Sequence, residues 1–255
     1  MEESFLDVRG TRVQLQSEGE GPPLVFLHGA GGGAWIPGLS RLAERFRVYA
    51  PVHPGFGESD DRPDWDRIDD YVFHYLDFLD ALGLDRVHLA GASLGGWLAA
   101  TFAVGHAHRL WTLTLLDAAG LWLDEAPMAD LFLLPPEELT KLIWHDPSRA
   151  PTPPPATPES MLAQAKASTT VARLAWKPFF HDPKLPGRLG RINVPTLILW
   201  GASDRLIPIE HGRRYHELIP GAELVVIPEA GHAVLREQPE RGAQAILDFI
   251  ARHGG

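Results

Sequence analysis

A serine, an aspartate and a histidine, Ser93, Asp204 and His232, each follow shortly after an apolar run in this chain. A serine hydroxyl is a weak nucleophile near neutral pH. An imidazole that takes its proton, held by a carboxylate that orients it and stabilises its cation, makes it a strong one. Ser93 interrupts Leu89-Ala-Gly-Ala-Ser-Leu-Gly-Gly-Trp-Leu-Ala99, an apolar run that resumes in helix-forming residues. That order reads as strand, sharp turn and helix with the serine at the apex. Gly91 and Gly95 leave out a Cβ where strand and helix would cross. Asp204 lies in Gly201-Ala-Ser-Asp-Arg-Leu-Ile-Pro208, and His232 in Pro228-Glu-Ala-Gly-His-Ala233. Asp117 also ends an apolar run and is a rival carboxylate.

Acyl transfer also requires donors for a tetrahedral oxyanion. One candidate is the backbone N–H of Leu94, at the helix N-terminus behind the serine. The other is Ala30, in the lean loop His28-Gly-Ala-Gly-Gly-Gly-Ala-Trp35. A phosphate cradle is the competing reading of those glycines, but the lysine of a phosphate loop is missing and the spacing fits no dinucleotide fingerprint.

Positioning these residues requires a sheet whose strands end at one edge. Leu24–Leu27, Val87–Ala90, Leu110–Leu116, Thr196–Trp200 and Glu223–Ile227 read as strands, as does Phe46–Ala50. Helical patterns lie between them at Leu39–Arg45, Ile68–Leu82, Leu94–Val104 and Ile209–Leu218, with a last helix from Pro239 to Arg252. Ile68, Val72, Tyr75, Leu76 and Leu79 share one face of the second. Phe5–Val8 and Arg12–Gln16 read as an antiparallel hairpin around Arg9-Gly10, at a sheet edge. The expected fold is α/β: a mostly parallel twisted sheet of about eight strands flanked by helices. In such a sheet ligands bind beyond the carboxyl ends of the strands, where His28, Ser93, Asp117, Asp204 and His232 all fall. The rhythm breaks over residues 121–190, which carry helical pieces punctuated by Pro135-Pro136, Pro147 and the proline run from Pro151 to Pro158. Residues 1–120 and 191–255 are therefore expected to form one domain, with 121–190 a helical insertion.

Composition narrows the function. A net charge of −10 without a basic run argues against a nucleic-acid partner. The absence of cysteine excludes disulfides and thiolate chemistry. The 12 histidines form no close ligand set, so most are expected at the surface and no metal or cofactor is implied. No apolar run is long enough to cross a bilayer and the N-terminus lacks a signal-peptide pattern, so the expectation is a cytoplasmic protein without a membrane partner.

Taken together, His28-Gly29, Pro54-Gly-Phe-Gly-Glu-Ser59, Gly91-Ala-Ser-Leu-Gly95, the Asp204 loop and Gly231-His232 resemble the α/β-hydrolase superfamily across almost the whole chain. The resemblance implies Ser93 as nucleophile, His232 as base, Asp204 as acid and residues 121–190 as a cap over the pocket. The chain departs from the family pattern at Val52, where an acidic residue is usual, and at Ala92, where histidine is common. Some members place their acid where Asp117 stands. The cap carries Trp122, Phe132, Trp144, Trp176, Phe179 and Phe180. Of these, Trp122, Trp144, Trp176 and Phe180, with His28 and Gly29, are candidates to line an apolar pocket.

The expected reaction is hydrolysis of small to medium apolar carboxylic esters, with a small-molecule ester and water as the only partners and the chain acting as a monomer or homodimer. Carbon–carbon bond hydrolysis of ring-fission products on the same triad is the main alternative. The loop His28–Trp35 and the Arg173/Trp176 stretch faintly resemble that group, whereas Leu235 and its neighbours lack its tryptophan. A perhydrolase or acyltransferase would share the acyl-enzyme, and a non-catalytic ligand-binding member would need none of the three residues.

Overall fold

The structure is a computed structural model that describes residues 1–152 and 155–254. The chain begins with the antiparallel pair β1 (Glu2–Val8) and β2 (Thr11–Glu18), which turns at Arg9 and Gly10, both at positive φ. It continues through β3 (Pro23–Leu27), α1 (Pro37–Ala43), β4 (Arg47–Pro51), α2 (Ile68–Ala81), β5 (Val87–Ala92), α3 (Leu94–His106) and β6 (Leu110–Leu116). Two helices, α4 (Pro136–Ile143) and α5 (Pro158–Ala175), occupy the segment before β7 (Thr196–Gly201). Then come α6 (Ile209–Leu218), β8 (Glu223–Ile227), α7 (Val234–Glu237) and α8 (Pro239–His253). The 8 strands form one sheet in the order β1-β2-β4-β3-β5-β6-β7-β8, parallel from β4 to β8.

The strands expected to be continuous apolar runs lie in the middle of this order because both of their faces are covered. One buried cluster packs α2 and α3 against the sheet, and a second packs α1 and α8 against the opposite face. Helix α3 buries residues on nearly every side, and its Gly95, Gly96, Ala99, Ala100 and Ala103 let it lie close to the strands. Helix α8 buries Gly242, Ala243, Ile246, Phe249 and Ile250, a single stripe at helical spacing. The parallel registers pair Leu27 with Gly91, Ala92 with Leu116, and Leu116 with Leu199, while Gly201 pairs with Ile227. Residues that follow β3, β5, β6, β7 and β8 therefore emerge side by side at one edge.

Several expectations need correction. Helix α1 starts two residues earlier than the apolar spacing indicated, with Pro37 in its first turn, where the missing N–H costs nothing. On α2, Ile68, Val72, Tyr75 and Leu79 are buried but Leu76 is only partly covered. Helix α7 has no counterpart in the sequence reading. Seven of the 12 histidines are exposed or partly exposed, but His28, His53, His74, His88 and His211 are buried. Each has aromatic neighbours, a hydrogen-bond partner, or both, and burial lowers the proton affinity of all five, so they sit in the interior as neutral rings. Of the proline run, Pro153 and Pro154 lie outside the described residues. Among the described residues no helix is long and apolar enough to cross a membrane.

Candidate active site

Ser93 joins β5 to α3 with φ 54° and ψ −116°, a strained combination for a residue with a side chain. Its neighbours enforce that geometry. A Cβ at Gly91 would lie 2.2 Å from the Gly95 carbonyl oxygen, and one at Gly95 would lie 2.2 Å from that of Leu27. The Ser93 N–H donates to Leu116 O at 2.9 Å, and its carbonyl accepts from Ala119 at 3.0 Å. These bonds tie the apex to the strand end that carries Asp117.

Asp204 and His232 are brought together by two loops that nearly touch. A Cβ at Gly201 would sit 2.0 Å from Gly231 O, and the Ser203 N–H donates to Ala230 O at 2.8 Å. Asp204 is buried; its Oδ1 accepts the N–H groups of Leu206 and Ile207, both at 2.9 Å. Its Oδ2 lies 2.8 Å from His232 Nδ1. With Nδ1–H donated to the carboxylate, the lone pair of His232 is on Nε2, the tautomer a general base requires. Asp117 is part of the same cluster, with one ligating atom each from Asp117, Asp204 and His232 within 4.8 Å of one another. Ser93 Oγ makes no hydrogen bond among the described residues.

A family described as "Alpha/beta hydrolase family" matches residues 24–245. The chain belongs to the alpha/beta hydrolase family. As a hydrolase it has relatives of similar length. It is 29% identical to a 2-hydroxy-6-oxo-6-(2'-aminophenyl)hexa-2,4-dienoic acid hydrolase of Metapseudomonas resinovorans, over 98% of this chain and 91% of that one. It is 30% identical to a 2-hydroxy-6-oxo-6-phenylhexa-2,4-dienoate hydrolase of Burkholderia cepacia, over 94% and 91%. Among solved structures it is similar to a membrane phospholipase A described as a bacterial virulence factor. The TM-score is 0.82 and the identity 26%, with 100% of this chain and 87% of that one covered.

In this hydrolase the His28 loop passes directly over the serine, where a Cβ at Gly29 would come within 3.0 Å of Ser93 Cβ. Gly32 N–H donates to Gly29 O at 3.2 Å, which turns the chain through Ala30. Leu94, at the first position of α3, has an N–H that the helix itself cannot satisfy. His28 faces inward. Its Nδ1 lies 2.7 Å from Gly29 O, its Nε2 accepts the His53 N–H at 2.9 Å, and its ring stacks 3.8 Å from that of His53. Burial lowers His28 to about 4, against which its bond to Gly29 O acts. His53 Nε2–H donates to His28 O at 2.8 Å and its Nδ1 accepts from the Tyr75 hydroxyl. With His53 above it, His28 braces the loop from below. Its partner His53 is the residue after Val52, the site of the missing acidic group.

The aromatics of residues 121–190 divide by location. Phe180 is fully buried beside Phe132 and Phe179, and Phe132 also packs on Trp176 at 5.1 Å. Trp176 is 58% exposed and Trp122 40%, the latter donating to Asp124, so each shows solvent a large part of its ring. Trp144 is half-buried beyond the C-terminus of α4.

Two groups of contacts without a clear signal in the sequence join residues 121–190 to the site. The C-terminal end of α4 lies against the loops that carry Asp204 and His232. The His232 N–H donates to Ile143 O at 2.7 Å, and the Arg205 N–H to Leu142 O at 3.2 Å. The buried Glu237 carboxylate accepts the N–H groups of Gly231 (2.6 Å) and His145 (2.9 Å). The only sequence signal was an acidic residue five places beyond His232. On the other side, α5 presents Lys166, Thr170 and Arg173 along one face to the loop Gly55–Asp61. Lys166 Nζ donates to Gly57 O and Ser59 O, and Arg173 pairs with Asp61 at 2.7 Å.

Proposed function

We propose that this hydrolase cleaves carboxylic esters carrying small to medium apolar groups, with Ser93 as nucleophile, His232 as general base and Asp204 as the carboxylate that orients it. The observation that carries this reading is the 2.8 Å contact between His232 Nδ1 and Asp204 Oδ2 at the sheet edge where Ser93 stands on a strained turn. His232 Nε2 takes the hydroxyl proton as Ser93 Oγ adds to the ester carbonyl. The oxyanion is received by the N–H groups of Leu94 and Ala30. His232 then protonates the leaving alcohol, and water repeats the sequence in reverse on the acyl-enzyme. No cofactor or metal enters any step. Residues 121–190 serve as the cap, whose aromatic cluster supports a preference for apolar substrates.

Hydrolysis of a carbon–carbon bond in a ring-fission product is the second reading, favoured by what the names of the two relatives say of those proteins. A dienoate substrate brings a carboxylate that wants a cation. Arg173, the cap arginine in the stretch that resembles that group, is already paired with Asp61. Leu235 packs in the core against Gly38. Both observations weigh toward the ester.

The test is a chromogenic ester panel of graded acyl length run beside a ring-fission product, with a serine-directed phosphonate as probe. Neutral esters are expected to give the highest kcat/KM, and phosphonate labelling to vanish in Ser93→Ala. Preferential turnover of the ring-fission product moves the assignment to the second reading. Equal turnover of acidic and neutral esters refutes the apolar preference. A folded wild type that neither labels nor hydrolyses refutes the enzyme.

A further inference from the structure

We propose that Asp117 is a positioning residue that donates a hydrogen bond from a protonated carboxyl group to Asp204 and so holds the group that holds His232. The proposal rests on the assignment of Asp204 and His232 above.

Asp117 is clamped between two strands. Its N–H donates to Leu199 O at 3.1 Å, and its Oδ1 accepts the Gly201 N–H at 2.9 Å. It is 2% exposed and adopts φ 44°, a conformation aspartate tolerates but does not prefer. Its side chain is thereby aimed at the carboxylate of Asp204, in the three-residue cluster with His232.

The two carboxyl groups are solvated very differently. Asp204 accepts from three N–H groups, those of Leu206, Ile207 and His232 Nδ1. Asp117 accepts from one, and no lysine or arginine pairs with it among the described residues. Two buried carboxyls this close cannot both carry charge, and the proton goes to the one with fewer donors. Burial, and then the charge of Asp204, hold Asp117 well above the usual carboxylate range. The other charged groups facing it are His232 from the loop after β8 and Glu237 from α7. Glu237 adds a further repulsion to an ionised Asp117.

A neutral Asp117 has one O–H to give, and Asp204 is the acceptor beside it. That bond restricts Asp204 to the orientation in which Oδ2 meets the imidazole. It also draws negative charge away from Oδ2, which tempers the pull on the imidazolium that forms during acyl transfer. Asp117 touches neither substrate nor nucleophile.

Three chains test this: wild type, Asp117→Asn, whose amide N–H can replace the O–H, and Asp117→Val, which has similar volume and no donor. The first readout does not depend on activity. A carboxyl protonated in the folded state and ionised in the unfolded one makes the wild type lose ground to Asp117→Asn as pH rises above 4, by about tenfold in the unfolding equilibrium per pH unit. Parallel stability curves for these two chains overturn the proposal. The second readout is kcat/KM against pH on the best ester, or the rate of phosphonate labelling. Asp117→Asn is expected to lose no more than about threefold, while Asp117→Val loses about 10- to 100-fold, the worth of a hydrogen bond to a charged group. The acid limb of its profile is expected to move to higher pH.

If Asp117→Asn is as inactive as Asp204→Asn, Asp117 is an ionised acid and the proposal fails. If Asp117→Val keeps the wild-type profile, its role is only structural and the proposal also fails. Should Asp117→Val not fold, the comparison with Asn still decides. Loss of all labelling in wild type refutes the serine-hydrolase reading while leaving the stability readout of Asp117 intact.

Discussion

His74 allows a prediction worked through from its burial and the lowered proton affinity that burial causes. Its ring lies on the buried face of α2, between Trp65 and Tyr75 at 5.2 Å from each, and is 4% exposed. Its Nε2 is buried without a partner. Burial, and then the charge of Arg62, lower it from 6.5 to about 4. Between these values the unfolded chain binds a proton that the folded chain refuses, so stability present near neutral pH is lost as pH falls. From pH 7 to pH 5 the loss from this ring is about 2 kcal/mol.

His74→Phe keeps a flat ring and removes the titration. The larger ring has room to adjust, because His74 lines a groove of about 210 Å³ with Trp65 and Phe73. Any packing change is independent of pH. The remaining charged groups of the groove, Arg9, Arg62, Asp70 and Asp77, are common to both chains and cancel in the difference. Urea unfolding at pH 7 and pH 5 should therefore show the variant gaining about 2 kcal/mol on the wild type, or roughly 4 °C in melting temperature for a chain of this size. Curves that keep a constant separation refute the account of His74 as a neutral, desolvated ring.

Three further outcomes follow from the site and its supports. Ser93→Ala is expected to abolish hydrolysis and labelling while the melting temperature holds, and Asp204→Asn to lower kcat about 10³- to 10⁴-fold, both measurable on the best ester. Glu237→Ala strips an acceptor from the buried N–H of Gly231 and the partly buried N–H of His145, so a loss of about 2 kcal/mol is expected in chemical denaturation, with activity falling alongside. Gly95→Ala places a methyl group against Leu27 O and should leave no soluble, folded protein, read by expression and circular dichroism; a variant of wild-type stability would disprove the close crossing of β3 and α3.

The elements nearest the site were the most legible because their sequences obey local rules. A strand covered on both faces, such as Leu197–Trp200, is a continuous apolar run wherever it sits. The Ser93 turn announces itself through Gly91 and Gly95 because its strain comes from the crossing of adjacent elements. Asp204 and His232 could be picked out as strand-end residues once a parallel sheet was expected. Strand order was not readable, since β4 pairs with both β2 and β3 through contacts distant in sequence. Nor was the closeness of Asp117 to Asp204, which depends on β6 lying beside β7 in one register. The buried histidines escaped notice for a related reason. His53 is neutral because it is buried, with His28 O and Tyr75 as partners from elements distant in sequence, and nothing in the local sequence states that.

The last turn of α4 and the residues that follow it fasten residues 121–190 to both loops that carry Asp204 and His232. The backbone carbonyl Ile143 O holds His232, the His145 N–H is held by Glu237, and Leu142 O holds Arg205 beside the acid. Displacing α4 would pull on the His232 and Asp204 loops together. Helix α5 is fastened instead to the loop Gly55–Asp61, by Lys166 and Arg173 from its partly exposed face and by the buried Thr170, whose hydroxyl donates to Gly55 O. Any movement of residues 121–190 that leaves the Asp204–His232 contact intact therefore takes place at α5 rather than at α4.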